Sequence, residues 1–258
     1  MRKILVVGIG AGNPEHITVQ AINALNRADA LFVPRKGETK AELADLRREI
    51  IQRYVTNPEA KIVEFDLPVR DAENLSYVSG VTDWHQAIAE LYSRLMETEL
   101  AADGVAALMV WGDPSLFDGT LRILDRVRAA GLRFDLEVVP GVSSLHALTA
   151  AHAIPLNLVG RPVVVTPARR LAEVAPHGDA IVFLDSRLAF TTVDGAAYDI
   201  YWGAYLGTRH EILISGRLAD VAAEIEQRRA AARLEHGWIM DTYLLRHRSS
   251  DPSDESPD

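Results

Sequence analysis

Short apolar runs alternate with stretches of helical periodicity through the first half of this chain, and that rhythm narrows the possible folds more than any other feature. Residues 4–7 form an apolar run that ends in glycines, and Val19, Ile22 and Leu25 then recur at helical spacing in ITVQAINALNRADA. ALFV is the second run. Leu43, Leu46, Ile50 and Tyr54 repeat along KAELADLRREIIQRY, an amphipathic pattern, and AKIVEFDLPV follows as the third run. Trp84, Ile88, Leu91 and Leu95 share one face of DWHQAIAELYSRLMETEL. VAALMVW is a fourth run, apolar throughout. SLFDGTLRILDRVRAAG reads as a helix stopped by Gly131, and FDLEVVPG is a fifth strand. This β-α-β-α order predicts an open, mostly parallel sheet covered by helices.

The second half has a different rhythm. A small-residue helix, SSLHALTAAHA, is followed by the runs PVVVTP, DAIVFLD and EILIS, a helix from about Leu218 to Leu234, and GWIMDTYLLRH. Strands dominate, which predicts a mixed sheet in a separate α/β domain. The expected division is residues 1–141 and 142–247, with the 154–162 stretch as the other candidate boundary. Residues 248–258 are polar, acidic and rich in Pro and Ser, as in a disordered tail.

Composition removes several function classes. The net charge of −9 argues against a general nucleic-acid binder, which needs a basic face. It leaves room for an anionic small molecule, because a local basic cluster acts over a Debye length of ~8–10 Å. With no cysteine there is neither a disulfide nor a thiolate metal site, and the eight histidines show no ligand spacing, so no metal is expected. No apolar run approaches the roughly 20 residues needed to span a bilayer. MRKILVVGIG has a charged start and a short apolar run, but no small-residue cleavage site follows. A buried first strand in a cytoplasmic enzyme is the expectation.

Three glycine-bearing loops carry the chemistry. In VGIGAGNPEHIT, glycines 8, 10 and 12 allow a sharp turn and close approach of a neighbour. A dinucleotide loop would need a third glycine where Asn13 stands and an acid at the end of the second strand, where the chain reads Phe32-Val33-Pro34. WGDPSLFDGT follows the fourth strand, where open α/β sheets bind ligands; Asp113 there can either accept bonds from a ligand or open a helix that Pro114 starts. In PGVSSLHALTAAHAIPL, Ser143 or Ser144 can cap a helix or reach a ligand.

In this order the three loops resemble the tetrapyrrole (corrin/porphyrin) methylases, with their VGxGPGDP…LT start, GDP loop and PGxSS…PL segment. The resemblance extends into AIVFLDS and YLGTRHEILISGRLADV. It implies two α/β domains with S-adenosylmethionine folded in the cleft between them, S-adenosylhomocysteine as product, and a homodimer. Position by position it implies cofactor contacts at Gly10, Ala11 (where the family has Pro), Trp111, Gly112, Asp113 and Leu116. It adds Ser143, Ser144, Leu184 or Asp185, and Gly207 with Thr208.

Within the family, VPRKGETKAELADLRREI is similar to members with a K-G-E-x-K-x-x-L-x-x-L-R pattern after the second strand. That likeness implies methylation of C1 of precorrin-5 with loss of its acetyl group as acetate, giving precorrin-6A. Many sister enzymes carry an acid where Pro34-Arg35 stands, which disfavours uroporphyrinogen as substrate. The other readings are methylation at C20 or C11, an NAD-dependent oxidoreductase, and a non-catalytic tetrapyrrole carrier.

A precorrin carries many carboxylate arms, and Arg suits them through bidentate pairs. Arg35, Lys36 and Lys40 are the expected substrate contacts. Arg47, Arg48, Arg161, Arg169, Arg170 and Arg209 can add to them or be solvated surface charge. Methyl transfer asks for orientation and exclusion of water. Deacetylation also asks for a base and an oxyanion donor. Lys36 is the candidate to polarise the acetyl carbonyl, and Glu38, His85 and His146 are the candidate bases.

Overall fold

The computed structural model describes residues 1–35, 41–68, 77–175 and 178–248. The chain divides into two compact units, Met1–Ser143 and Ser144–Asp258.

The first unit runs β1 (Lys3–Gly8), a 3₁₀ turn (Pro14–His16), α1 (Val19–Asn26), β2 (Ala30–Arg35), α2 (Ala41–Tyr54) and β3 (Lys61–Asp66). It continues with α3 (Tyr77–Glu99), β4 (Val105–Val110), α4 (Thr120–Ala129) and β5 (Asp135–Val139). The strand order is β3-β2-β4-β1-β5 and every pairing is parallel. β1, β2 and β4 are buried over nearly their whole length, which is why they read as unbroken apolar runs. Edge strand β3 alternates, with Val63 and Phe65 turned inward.

Two apolar cores flank this sheet. On one face Leu5, Val7, Leu31 and Met109 pack with Ala21, Ala24 and Leu25 of α1 and Leu46 and Ile50 of α2. On the other, Ile4, Val6, Phe32 and Leu108 pack with Ile88, Tyr92 and Met96 of α3 and Ile123, Leu124 and Val127 of α4. The connection leaving β1 therefore lies on one face and the connection leaving its neighbour β4 on the other. Their carboxyl ends form the switch point where open parallel sheets place ligands.

Two helix limits differ from the sequence expectation. The helix after β4 begins at Thr120 rather than near Ser115, because residues 113–119 are drawn into a loop; Pro114 starts no helix. The Asp118 carboxylate accepts the Thr120 N–H at 2.7 Å and opens α4 there. Gly131, at φ +103°, follows its end as expected.

The second unit has α5 (Ser144–Ala151), β6 (Val163–Pro167), a 3₁₀ turn (Ala168–Arg170), α6 (Leu171–Val174) and β7 (Asp179–Phe183). A 3₁₀ turn (Ala189–Thr192), β8 (Tyr198–Ala204), β9 (Ile212–Arg217), α7 (Leu218–His236) and β10 (Asp241–His247) complete it. The order is β6-β7-β10-β8-β9; β6 and β7 run parallel and the remaining pairs antiparallel, a mixed sheet. The sequence reading missed β8. It contains Asp199 and Gly203, both poor strand formers, yet Tyr198, Ile200, Trp202 and Ala204 are buried in a central strand.

Buried charge ties this unit together. The Asp179 carboxylate, fully enclosed, accepts from Arg246 at 3.2 Å, Arg161 at 3.4 Å and the His247 N–H at 2.9 Å. Asp241 accepts from Arg229 and the Trp202 indole at 2.9 and 3.0 Å. The expected tail, residues 248–258, lies outside the described residues apart from Arg248.

Candidate active site

Three loops meet at the carboxyl ends of β1, β4 and β5, and they meet backbone to backbone. A Cβ on Gly141 would lie 2.2 Å from the Gly112 carbonyl oxygen and 2.8 Å from the Gly8 carbonyl carbon. One on Gly8 would lie 2.6 Å from the Gly141 nitrogen. Only glycine permits such an approach. Gly10 and Gly112 also pair across the first two loops, with Gly112 N–H donating to the Gly10 carbonyl at 2.9 Å.

Asp113 locks this junction. One carboxylate oxygen accepts the Gly141 N–H at 2.9 Å, and the other accepts the Ser115 N–H at 2.8 Å and the Ser115 hydroxyl. The carboxylate thus positions the third loop against the second. Asn13 caps the 3₁₀ turn by accepting the Glu15 N–H at 2.9 Å, and α1 opens later, where the Thr18 hydroxyl accepts the Ala21 N–H at 3.0 Å. The first glycine loop therefore does not run directly into a long helix, as a dinucleotide site requires.

The remaining expected contacts of this unit sit around the junction. Ala11 and Ser143 are buried and Leu116 is half-buried. Gly112 is left-handed at φ +69°, and a Cβ there would meet only the Ser143 Cα, at 3.8 Å. That open space leaves the Gly112 backbone uncovered on this side. The Trp111 ring packs beside the α1/α2 core, and its indole nitrogen is enclosed without a hydrogen-bond partner.

The sheet opens next to this junction. β2 pairs with β4 only from Ala30↔Ala106 to Phe32↔Leu108, while it stays paired with β3 as far as Arg35↔Asp66. Arg47 of α2 is buried here, donating from Nε to the Met109 carbonyl at 3.1 Å. Burial lowers its pKa, with Tyr92 and Asp118 opposing. It is not the solvated surface charge that was one of its two sequence readings. Arg35 is exposed at the end of β2 and pairs with Asp66 at 2.8 Å, an exposed contact of small worth that a ligand carboxylate can replace. Lys36, Glu38 and Lys40 lie outside the described residues.

His85 of α3 stands beside the loop after β4; a Cβ on Gly119 would lie 3.1 Å from its Nε2. Burial, then Arg122 and Arg126, lower its pKa against Asp118, which favours the neutral ring that a base requires.

In the second unit, Asp185 is turned inward. Its carboxylate accepts the Arg187 and Ala189 N–H groups at 2.9 and 2.7 Å and the Tyr243 hydroxyl at 2.8 Å. Its neighbour Leu184 is left-handed at φ +58° and 62% exposed. Of the two alternatives, Leu184 is the exposed one and Asp185 the one that shapes the turn. Gly207 donates its N–H to Glu211 at 2.7 Å, and the Thr208 hydroxyl donates to the Tyr205 carbonyl at 2.8 Å. Ser144 starts α5 half-buried, and His146 is exposed on that helix. Arg161 serves Asp179, and Arg170 pairs with Glu173 at 2.6 Å. Arg209 is exposed and donates to the His210 ring at 2.9 Å.

Among the described residues no three His, Cys, Asp or Glu side chains gather into a metal-binding group, and no helix is long and apolar enough to cross a membrane.

The model of the Tetrapyrrole (Corrin/Porphyrin) Methylases matches residues 3–222. The chain is 56% identical over 249 residues to precorrin-6A synthase [deacetylating] of a Sinorhizobium species, covering 95% of each protein. A cobalamin synthesis related protein (CobF) from Corynebacterium diphtheriae superposes with a TM-score of 0.84 at 35% identity, over 96% of this chain and 100% of that one. Uroporphyrin-III C-methyl transferase from Thermus thermophilus, solved with S-adenyl homocysteine, has the same fold. Its TM-score is 0.58 at 17% identity, over 95% of this chain and 97% of that one.

Proposed function

Because the chain belongs to the tetrapyrrole (corrin/porphyrin) methylase family, we propose that it is an S-adenosylmethionine-dependent methyltransferase of cobalamin biosynthesis. It methylates C1 of precorrin-5 and releases the acetyl group as acetate, giving precorrin-6A. The observation that carries this reading is the 56% identity to a deacetylating precorrin-6A synthase over 95% of both chains. An alignment of that extent spans the 34–48 stretch as well as the glycine loops.

The bound cofactor supplies an electrophilic methyl group; the chain's own residues hold the reactants and exclude water. Gly10, Ala11, Trp111, Gly112, Asp113, Leu116 and Ser143 are the proposed cofactor residues of the first unit. Gly112 offers bare backbone, and Asp113 acts by fixing the third loop. Ser144, Leu184, Gly207 and Thr208 are the proposed ones of the second, with Asp185 holding Leu184 in place. Arg35, Lys36 and Lys40 receive the carboxylate arms. Lys36 polarises the acetyl carbonyl. Glu38, His85 or His146 takes a proton from the attacking water; neutral His85 is supported by its lowered pKa. The protein works in the cytoplasm as a homodimer.

Isothermal titration tests the cofactor. Saturable binding of S-adenosylhomocysteine is expected, and binding of NAD in its place would restore the oxidoreductase reading. Turnover that survives both Lys36→Ala and Glu38→Gln would remove that loop from catalysis.

A further inference from the structure

Phe117, on the loop between β4 and α4, has a left-handed backbone at φ +52°. That conformation crowds a Cβ against the main chain and is uncommon for a residue with a bulky side chain. The loop enforces it from both sides. Upstream, the Leu116 N–H donates to the Asp113 carbonyl at 3.2 Å, and the Asp113 carboxylate is itself tied to the Gly141 N–H. Downstream, the Asp118 carboxylate accepts the Thr120 N–H at 2.7 Å, and its carbonyl accepts from the Arg122 guanidinium at 3.0 Å. Among the described residues Tyr205 is the other aromatic residue with a left-handed backbone, and complete burial of its ring offsets the strain. Phe117 has a smaller offset, because it remains 41% exposed. A strained residue that its neighbours pin and leave facing solvent points to a role other than packing.

The neighbours indicate the chemistry it meets. Arg122 is bonded to the next residue, and Arg126 follows one turn along α4. Both guanidiniums act on the ring of His85, the candidate base beside Gly119. An exposed aromatic ring beside two cations matches a tetrapyrrole, with its flat unsaturated pyrroles and its rim of carboxylates. The adenosyl group of the cofactor has no such anionic rim. We propose that Phe117 is a substrate-binding residue that packs its ring against a pyrrole face of the precorrin, the left-handed backbone being what presents the ring. This rests on the precorrin methylation proposed above. The contact is made before and during the chemical step alike, so it acts on substrate affinity rather than on the barrier.

The test uses the full-length enzyme with precorrin-5, S-adenosylmethionine and two changes. Phe117→Asn removes the ring and keeps a residue that accepts a left-handed backbone. Phe117→Tyr keeps a ring of the same shape. The assignment predicts that Phe117→Asn raises KM for precorrin-5 about 10-fold while kcat stays within about threefold. With Phe117→Tyr, KM should stay within about threefold of the wild type. Affinity for S-adenosylhomocysteine should stay within about twofold in both proteins, and Phe117→Asn should unfold at the wild-type Tm or above it, its strain relieved. A wild-type KM in Phe117→Asn would overturn the assignment, as would a KM equally raised in Phe117→Tyr. A loss of S-adenosylhomocysteine affinity as large as the rise in KM would give the ring to the cofactor instead. A Tm lower by about 4 °C or more in Phe117→Asn would make the ring a packing element. The wild-type arm separates the two claims: a wild type that leaves precorrin-5 unconverted refutes the proposed function and this contact with it, whereas normal wild-type turnover with any of the other contrary results refutes the contact alone.

Discussion

Gly141→Ala is the sharpest perturbation of the loop junction. The added methyl would lie 2.2 Å from the Gly112 carbonyl oxygen and 2.8–2.9 Å from two Gly8 backbone atoms. All are main chain, so no side chain can swing away. Restoring normal contact means parting the loops by about 1 Å. That movement also stretches the 2.9 Å bond from Gly141 N–H to Asp113. Overpacking of this kind, at its upper end, costs about 3 kcal/mol. The companion Gly112→Ala has open space, with only the Ser143 Cα at 3.8 Å, and bears the strain of φ +69° alone. That strain costs about 1 kcal/mol. Thermal unfolding of the full chain followed by circular dichroism reads the contrast. Gly141→Ala should lower Tm by about 6–12 °C and Gly112→Ala by less than half of that. S-adenosylhomocysteine affinity should fall with Gly141→Ala as well, because the loops proposed to hold it would have moved. A Gly141→Ala protein within about 2 °C of wild type, or one more stable than Gly112→Ala, would refute the backbone-packing argument.

Three further outcomes follow from the same contacts. Asp185→Asn faces an amide N–H toward groups that now donate to a carboxylate, and should cost about 2 kcal/mol in urea unfolding. Arg229→Met leaves the buried Asp241 carboxylate without its cation and should cost about 3–5 kcal/mol, most of it recovered when Asp241→Asn is added. His85 titrates below its ordinary value of 6.5 in the folded protein, so the unfolded chain takes up that proton more readily. Its contribution to stability is full above pH 6.5 and is lost as the pH falls through the lower folded value. Unfolding measured at steps below neutral pH should show this decline in the wild type and a flatter profile in His85→Gln.

Much of this architecture was readable because burial on both faces writes strands as apolar runs. β1, β2 and β4 could be recognised for that reason, and the 3.6 period marked α2 and α3. β8 escaped because Asp199 and Gly203 interrupt the apolar pattern, although its alternate residues are central to the second core. The start of α4 escaped because Asp113 spends its carboxylate on Gly141 and Ser115 instead of a helix, and the capping is left to Asp118. The glycine loops were visible as a set, but sequence could not show that Gly8, Gly112 and Gly141 touch one another. Nor could it show that Arg47 is buried against β4, since its helix pattern makes it one more basic residue among Arg47, Arg48 and Arg53. The unsatisfied nitrogen of Trp111 has no sequence signature at all; it exists only in the packing.

The central claim is a methylation coupled to deacetylation, and the direct measurement is one incubation. Purified protein with S-adenosylmethionine and precorrin-5 would be followed by mass spectrometry of the tetrapyrrole and by enzymatic assay of free acetate. The account predicts one methyl gained and one acetate released for each ring converted. Methylation with the acetyl group retained would contradict the assignment of C1 and move the reaction to another position on the ring.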